Sequence, residues 1–257
     1  MSENQMFLNR EVLCPTMPEI IITLPDSSKK KFKKGITGKD IAESIGPRLA
    51  KAALAVKVNG EIYDIFRPIE KDSQVQILTF DSDEGKKVFW HSTSHIMAQA
   101  VISLWPDAKP TIGPPIDNGF YYDFEKVEPF TPEDLNKIEA EMQKIVSESL
   151  EVKREEVTAS EAKKRFKSNK YKLELIDEFS KEGKTLSIYH QGKFFDLCRG
   201  GHVLNTSLIK AFALTKISSA YWRGDSKKAS LQRIYGISFP EQKQLKEYLH
   251  QELQDEL

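Results

Sequence analysis

The stretch HSTSH places His91 and His95 four positions apart in a chain that has only five histidines. Four residues is close to one helical turn, so on a helix both imidazoles project from one face. A second pair with the same spacing follows roughly a hundred residues later, where DLCRGGH sets Cys198 four positions before His202. Three imidazoles and one thiol make a ligand count suited to tetrahedral zinc, and equally a pocket whose imidazoles hold and activate water. An HxxxH pair alone is more often a helix surface or a satisfied core pair. The second pair, on a glycine-rich turn directly after a strand, shifts the balance toward chemistry. Gly200 and Gly201 there can take positive φ or let the backbone approach a ligand closely, although loop glycines often do no more than permit a turn.

Other segments carry weaker signals. IGPPIDNGFYYDF, residues 112–124, reads either as a substrate-binding loop or as a turn leading into a strand. The cluster KKKFKK, residues 29–34, could touch phosphates, but lysine protection of an edge strand explains it more simply. Tyr221-Trp222-Arg223-Gly224-Asp225 offers aromatics and an arginine before a turn, where base stacking and ordinary packing are both open readings. Cys14 has no partner nearby and is treated as incidental.

These residues need elements to position them. The chain has 257 residues, enough for one large domain or two, with a core that requires no disulfide. Its 38 basic and 38 acidic residues cancel, so no global field argues for or against RNA. Cys14 and Cys198 do not make a disulfide framework, which fits a reducing cytoplasm. No signal core or membrane-length apolar run is present, so a soluble, cytoplasmic protein without a membrane partner is expected.

Residues 1–18 read as a loose leader. From EIIITL to VQILTF the order is strand, strand, helix, strand, strand and late strand. The helix is capped by Thr37 with Asp40 and ended by Gly46-Pro47, and Asn59-Gly60 marks a type I′ hairpin. That order over residues 19–81 predicts a small β-grasp, ubiquitin-like sheet folded around one helix. The polar run DSDEGKK predicts a boundary. A larger mixed α/β domain over residues 82–239 follows, so the fold class is α+β. In it a helix is expected from about Ser92 with Met97, Val101 and Leu104 on its core face, and the two histidines opposite. Another helix is expected after Thr131 and Pro132, with Leu135, Ile138, Met142, Ile145 and Val146 buried. LSIYH and KFFDLC form a hairpin around Gln191-Gly192, and AFALTKISSAYW and SLQRIYGISF add two strands. Residues 240–257 form a last amphipathic helix, opened by Pro240 and carrying Leu245, Tyr248, Leu249 and Leu253; it lacks a C-cap glycine, the pattern of a linker helix cut short.

HSTSHIMAQA, IGPPIDNGFYYDF, DLCRGGHV and AYWRGDSKKASLQRIYG, in this order behind a β-grasp unit, closely resemble the N-terminal half of bacterial-type threonyl-tRNA synthetases. The resemblance runs from about residue 19 to 257. It implies that the first unit is a TGS domain and the second an editing domain that hydrolyses seryl-tRNA made in error. It implies as partner the acceptor end of tRNA(Thr) carrying serine. Aminoacylation, ATP, the zinc of the full-length enzyme and its homodimer contacts would belong to domains absent from this chain. By motif position His91, His95, Cys198 and His202 match the family's editing quartet, Lys172 a lysine of the same pocket, Asp196 an acidic position and Tyr122 a pocket tyrosine. On this basis His91 and His95 are expected to position water and ester, and Lys172 to transfer a proton or contact phosphate and ribose. Asp196 and Tyr122 are expected to bind substrate, with Asp196 at the seryl amine or hydroxyl, and Cys198 with His202 to form the wall. One departure is visible: Gly201 stands where the family usually has proline. No metal is expected in this fragment. The related editing domain of alanyl-tRNA synthetases implies the alternative, a zinc-dependent deacylase with His91, His95, Cys198 and His202 as ligands. A module that binds RNA or a partner without catalysis is the third reading.

Overall fold

The computed structural model describes residues 18–255. The expected leader, apart from its last residue, and Cys14 lie outside them.

Strand β1 (Glu19–Thr23) alternates, with Ile20 and Ile22 inward, and turns through Ser27 at φ 66° into β2 (Lys29–Lys33). β2 is the outermost strand, its lysines on an unpaired edge, the place where such residues discourage further pairing. The short β3 (Ile36–Thr37) delivers the chain to α1 (Gly38–Ile45). Thr37 Oγ1 accepts from the Asp40 amide at 3.2 Å and Asp40 Oδ2 accepts from the Thr37 amide at 3.0 Å, a reciprocal cap that contributes about 1 kcal/mol. Gly46 closes α1, but Pro47 then opens a second short helix, α2 (Pro47–Ala52), where only a stop was expected. Proline suits a first helical position because the N–H it lacks would have no partner there.

Strands β4 (Ala55–Val58) and β5 (Glu61–Asp64) meet at Asn59 and Gly60, whose φ of 49° and 90° are what a type I′ turn requires. After β6 (Pro68–Ile69), which pairs with β3, β7 (Ser73–Leu78) inserts between β1 and β4, parallel to the first and antiparallel to the second. The sheet order β2-β1-β7-β4-β5 around one main helix is a β-grasp, closed over Ile20, Ile22, Ile41, Val56 and Val75.

The next helix corrects the sequence reading. α3 (Asp83–Leu104) begins at Asp83 rather than near Ser92, so most of the polar run DSDEGKK forms its cap and opening turns. Ser82 Oγ accepts from the Gly85 amide at 3.1 Å, and Asp83 and Glu84 sit at the positive end of the helix dipole. Consecutive buried residues Val88, Phe89 and Trp90 show that α3 is enclosed on nearly all sides. Leu104, assigned to the core face, is 36% exposed.

β8 (Lys109–Pro110), β9 (Pro115–Ile116) and β10 (Gly119–Glu125) follow, so IGPPIDNGFYYDF leads through a turn into a strand, and it also lines a cavity together with His91 and His95. α4 (Pro132–Ser147) buries Ile138, Met142, Ile145 and Val146, while Leu135 is only half-buried. Then come β11 (Val152–Val157), α5 (Ala159–Arg165), α6 (Lys170–Lys181), β12 (Leu186–Gln191) and β13 (Phe194–Leu197), whose three strands pair in that order. β14 (Ala211–Tyr221) and β15 (Ser230–Phe239) extend the sheet β14-β15-β10-β8 on which α3 lies. α7 (Gln242–Asp255) starts two residues after Pro240; it buries Leu245 and packs Tyr248 and Leu249, but Leu253 is 64% exposed, so among the described residues its apolar face is covered in the first turns and not at Leu253. No helix among the described residues is long and apolar enough to cross a membrane.

Candidate active site

α3 carries HSTSH at mid-length, and the loop after β13 folds back onto it. His91 and His95 have ring centroids 4.8 Å apart, and His202 stacks on His91 at 4.5 Å and meets His95 edge-on at 4.4 Å. Cys198 Sγ lies 2.9 Å from His91 Nε2 and 3.2 Å from His202 Nε2. The two sequence pairs therefore converge, and their four donor atoms lie within 4.8 Å of one another.

The surrounding hydrogen bonds assign the tautomers. His91 Nδ1 is 3.1 Å from the Gly113 carbonyl, which can only accept, so Nδ1 holds the proton and Nε2 presents a lone pair to Cys198. Ser92 Oγ donates to the Val88 carbonyl at 2.9 Å and accepts from the Val203 amide at 3.0 Å; with its one proton committed, it accepts again from His202 Nδ1 at 3.2 Å. His202 thus also turns a bare Nε2 toward the sulfur. The His95 ring makes no hydrogen bond to another described residue, and its Nε2 is 3.9 Å from Asp196 Oδ2.

A second group lies beside the first. Asn169 caps α6 by accepting from the Tyr171 and Lys172 amides, which sends the Lys172 side chain inward. Lys172 Nζ is 2.5 Å from Asp196 Oδ1, and Tyr122 donates its hydroxyl proton to Asp196 Oδ2 at 2.5 Å. The Leu197 amide donates to Asp196 Oδ1 as well, and Lys172 Nζ donates to the Tyr122 hydroxyl at 3.2 Å. Lys172 and Asp196 are 2% and 1% exposed, so each satisfies the other's charge rather than facing solvent. Gly113 makes room for this group, because a Cβ there would stand 2.1 Å from the Tyr122 ring. Burial, followed by the Asp196 charge, holds the Tyr122 hydroxyl well above its ordinary pKa, so it remains a donor.

Burial also pushes the His91 pKa down, and that of His95 well down, with His202, His91 and Lys172 reinforcing the shift at His95. Both imidazoles are therefore neutral near pH 7. The unfolded chain takes up protons near the ordinary histidine value of 6.5 while the folded protein does not. The resulting stabilisation is complete above that pH and is lost as pH falls toward the lowered folded values. In chelator, the melting temperature is expected to fall as pH drops below about 6.5, and His95→Asn to flatten the decline. An unaltered slope in that variant would contradict the buried neutral ring.

The loop that carries His202 depends on two glycines. Gly200 and Gly201 have φ of 107° and 82°, and a Cβ on Gly200 would stand 2.3 Å from the Tyr189 hydroxyl oxygen. Proline is locked near −65° and cannot follow the path taken here by Gly201. Gly201→Pro is expected to cost about 1–3 kcal/mol in denaturant unfolding and to displace His202; unchanged stability would refute this conformation.

Both groups open on one cavity of about 690 Å³. His91, His95, Tyr122, Lys172, Asp196 and Cys198 all line it, as do Lys87, Tyr121, Arg199, Tyr221, Arg223 and Arg233. Trp222 is buried and donates to Glu174 at 2.9 Å, and it lines the cavity together with its neighbours Tyr221 and Arg223. Sequence reasoning missed Ser92, Gly113, Tyr189 and Asp64. Ser92 lay inside the quoted motif, but Asp64, at the end of a strand in the other unit, carried no signal.

The quartet also fits a metal by chemistry. Two imidazoles with anchored Nδ1–H groups turn bare Nε2 atoms toward one sulfur, the orientation that outer hydrogen bonds impose on zinc ligands. A zinc held by all four would be coordinatively closed, as structural sites are, whereas catalytic sites keep one position open.

Residues 20–79 match the family model described as TGS domain, and residues 186–235 match that of the threonyl and alanyl tRNA synthetase second additional domain. The threonine–tRNA ligase of Caldanaerobacter subterraneus is 50% identical over 233 residues, covering 90% of this chain and 36% of the relative. That of Protochlamydia amoebophila is 49% identical with the same coverage, and that of Symbiobacterium thermophilum is 50% identical over 230 residues, 89% of this chain and 35% of the relative. The chain spans little more than a third of the length of these curated relatives.

Proposed function

We propose that this chain, which carries a TGS domain and the second additional domain and is homologous to threonine–tRNA ligases over nine-tenths of its length, hydrolyses seryl-tRNA(Thr). The observation that carries the reading is the meeting of neutral imidazoles with a buried Lys172–Asp196–Tyr122 group in one cavity. Its setting is the cytoplasm and its partner the acceptor end of tRNA(Thr) bearing serine. Aminoacylation, with its ATP and zinc, and homodimer contacts fall to parts of the longer relatives outside this chain.

The need for such a site follows from magnitudes. Serine lacks one methyl group of threonine, and a methylene-sized contact discriminates by only about 1–3 kcal/mol, or roughly 10- to 200-fold. A second pocket that tests the attached amino acid after transfer adds an independent filter.

In the proposed mechanism the seryl ester enters beside His95. Water forms a bond to the ester carbonyl carbon as its proton passes to a neutral imidazole, and the bond to the ribose oxygen breaks as that oxygen gains a proton. His95 is suited to hold the water because its ring has no other hydrogen bond to a described residue. Asp196, 3.9 Å away, steadies the imidazolium as it forms. His91 has its Nε2 engaged by Cys198, so it orients rather than accepts. The buried ammonium of Lys172 supplies positive charge at the cavity wall for the developing oxyanion. Saturated by Lys172, Tyr122 and the Leu197 amide, Asp196 organises the wall and reaches the seryl amine only through an exchange of partners.

The bare Nε2 atoms facing Cys198 favour one second reading, a zinc-dependent deacylase. His91, His95, Cys198 and His202 would hold the ion, which would acidify a water and polarise the carbonyl only by taking a fifth ligand beyond those four. Deacylation of Ser-tRNA(Thr) and Thr-tRNA(Thr), each with and without a strong chelator, separates the readings. Rapid loss of serine alone, indifferent to chelator, is expected. Loss abolished by chelator assigns the quartet to zinc, and hydrolysis of neither substrate leaves a binding module.

A further inference from the structure

We infer that Asp64, a residue of the β-grasp unit, is a positioning residue for the hydrolytic site, seating His202 through its backbone so that the cavity is assembled across two units. The inference rests on the hydrolytic reading of the site only for its consequence in rate.

Asp64 ends β5 and is 2% exposed. Its Oδ1 accepts the backbone N–H of His202 at 2.9 Å, and its Oδ2 accepts the Tyr189 hydroxyl proton at 2.6 Å. Among the described residues it forms no ion pair. A buried carboxylate without a directly paired cation is costly for folding, and an apolar residue at this strand end would serve packing better. What the carboxylate uniquely provides is two acceptors aimed at the other unit. Tyr189 in turn lies against the His202 ring at 4.5 Å between centroids, and the Gly200 backbone passes directly over its hydroxyl. Two consecutive glycines at positive φ give this loop little intrinsic preference for one path, so an external anchor is needed to hold His202 in register with α3. Asp64 supplies that anchor.

The β-grasp unit is held in place to do so. Lys57 pairs with Glu84 at 2.8 Å, Leu54, Ala55 and Leu78 join the core that contains Val88 and Phe89, and Leu204 packs into the β-grasp core. Ile62, two residues before Asp64, lines the cavity.

The test compares Asp64→Ala, Asp64→Asn and Val75→Ala, the last a core change of the β-grasp sheet remote from the cavity. Asparagine can still accept from the His202 amide and donate to Tyr189, whose hydroxyl turns to accept. With Ser-tRNA(Thr), well below every melting temperature, Asp64→Ala is expected to lower kcat by about 10- to 100-fold with little change in KM, as misplacement by about an ångström does. Asp64→Asn is expected to restore most of the rate, and Val75→Ala to keep it despite a comparable loss of stability. Equal kcat in Asp64→Ala and Val75→Ala would reduce Asp64 to a structural residue. If Asp64→Ala does not fold, Asp64→Glu, which keeps the charge but moves the oxygens, is read in the same way.

A second readout needs no hydrolysis. In a Cys14→Ser background with chelator, alkylation of Cys198 by iodoacetamide reports whether His202 still covers the sulfur. Asp64→Ala is expected to speed it by about tenfold, with Val75→Ala unchanged. If no form of the protein hydrolyses seryl-tRNA, the functional reading fails while this rate still judges the anchor, and an unchanged rate overturns it.

Discussion

Lys172→Met is expected to lower the melting temperature by roughly 6–20 °C and to abolish serine hydrolysis, the largest combined effect of any single change in the site. Its ammonium is 2% exposed and lies 2.5 Å from an Asp196 carboxylate that is 1% exposed. Removing one partner leaves the other as an uncompensated buried charge, a loss of about 3–5 kcal/mol, whereas removing both is often close to neutral. The double change Lys172→Met with Asp196→Asn should therefore regain much of the stability, since asparagine still accepts from the Tyr122 hydroxyl. It should not regain activity, because the positive charge at the cavity wall is gone. Thermal unfolding and deacylation on the two variants separate the roles. A single variant as inactive as the double but fully stable would show that the pair is not a buried ion pair in solution, and an active double variant would remove Lys172 from the mechanism.

His95→Ala is expected to reduce the rate of serine release by about 10²- to 10⁴-fold, the range for loss of a positioned proton acceptor. Since burial and neighbouring positive charge depress the His95 pKa well below 6.5, the wild-type rate should hold its plateau below that pH before declining. This acid limb is lost in the variant. A rate that declines through 6.5 like a free imidazole would assign the proton to a less buried group, and an undiminished rate in both His91→Ala and His95→Ala would return the site to binding alone. The measurement is single-turnover deacylation against pH with chelator throughout, so that the limb reports the imidazole and not metal loss.

The legible parts of this protein were those decided within a few residues. Asn59-Gly60 had to be a left-handed two-residue turn because few other residues tolerate positive φ at both positions. Thr37 with Asp40 had to cap a helix because the two groups reach each other only in that geometry. The histidine spacing had to put two rings on one face of α3. Where a segment answered to several neighbours, the reading slipped. The sequence places the start of α3 too late, near Ser92, because the polarity of DSDEGKK suits a loop and a helix N-terminus equally, and only the Ser82 cap onto Gly85 distinguishes them. Leu104 was assigned a core because periodicity assumes one buried face, whereas α3 is packed on nearly all sides and loses its cover at the end.

The sequence by itself determined the β-grasp order of elements, the two spaced pairs His91/His95 and Cys198/His202, and a resemblance that marked Tyr122, Lys172 and Asp196. Each depends on local periodicity, turn chemistry or motif, which the linear order preserves. Only the tertiary structure decided that the two pairs converge, that Lys172 and Asp196 satisfy each other, that His91 and His202 both turn bare nitrogens to one sulfur, and that Asp64 reaches 138 positions along the chain to hold His202. The physical reason is that burial converts proximity into chemistry. Desolvation depresses an imidazole, forces a lysine to find a carboxylate and makes a lone aspartate hold two donors, and none of these follows from the order of residues until the fold has excluded the water.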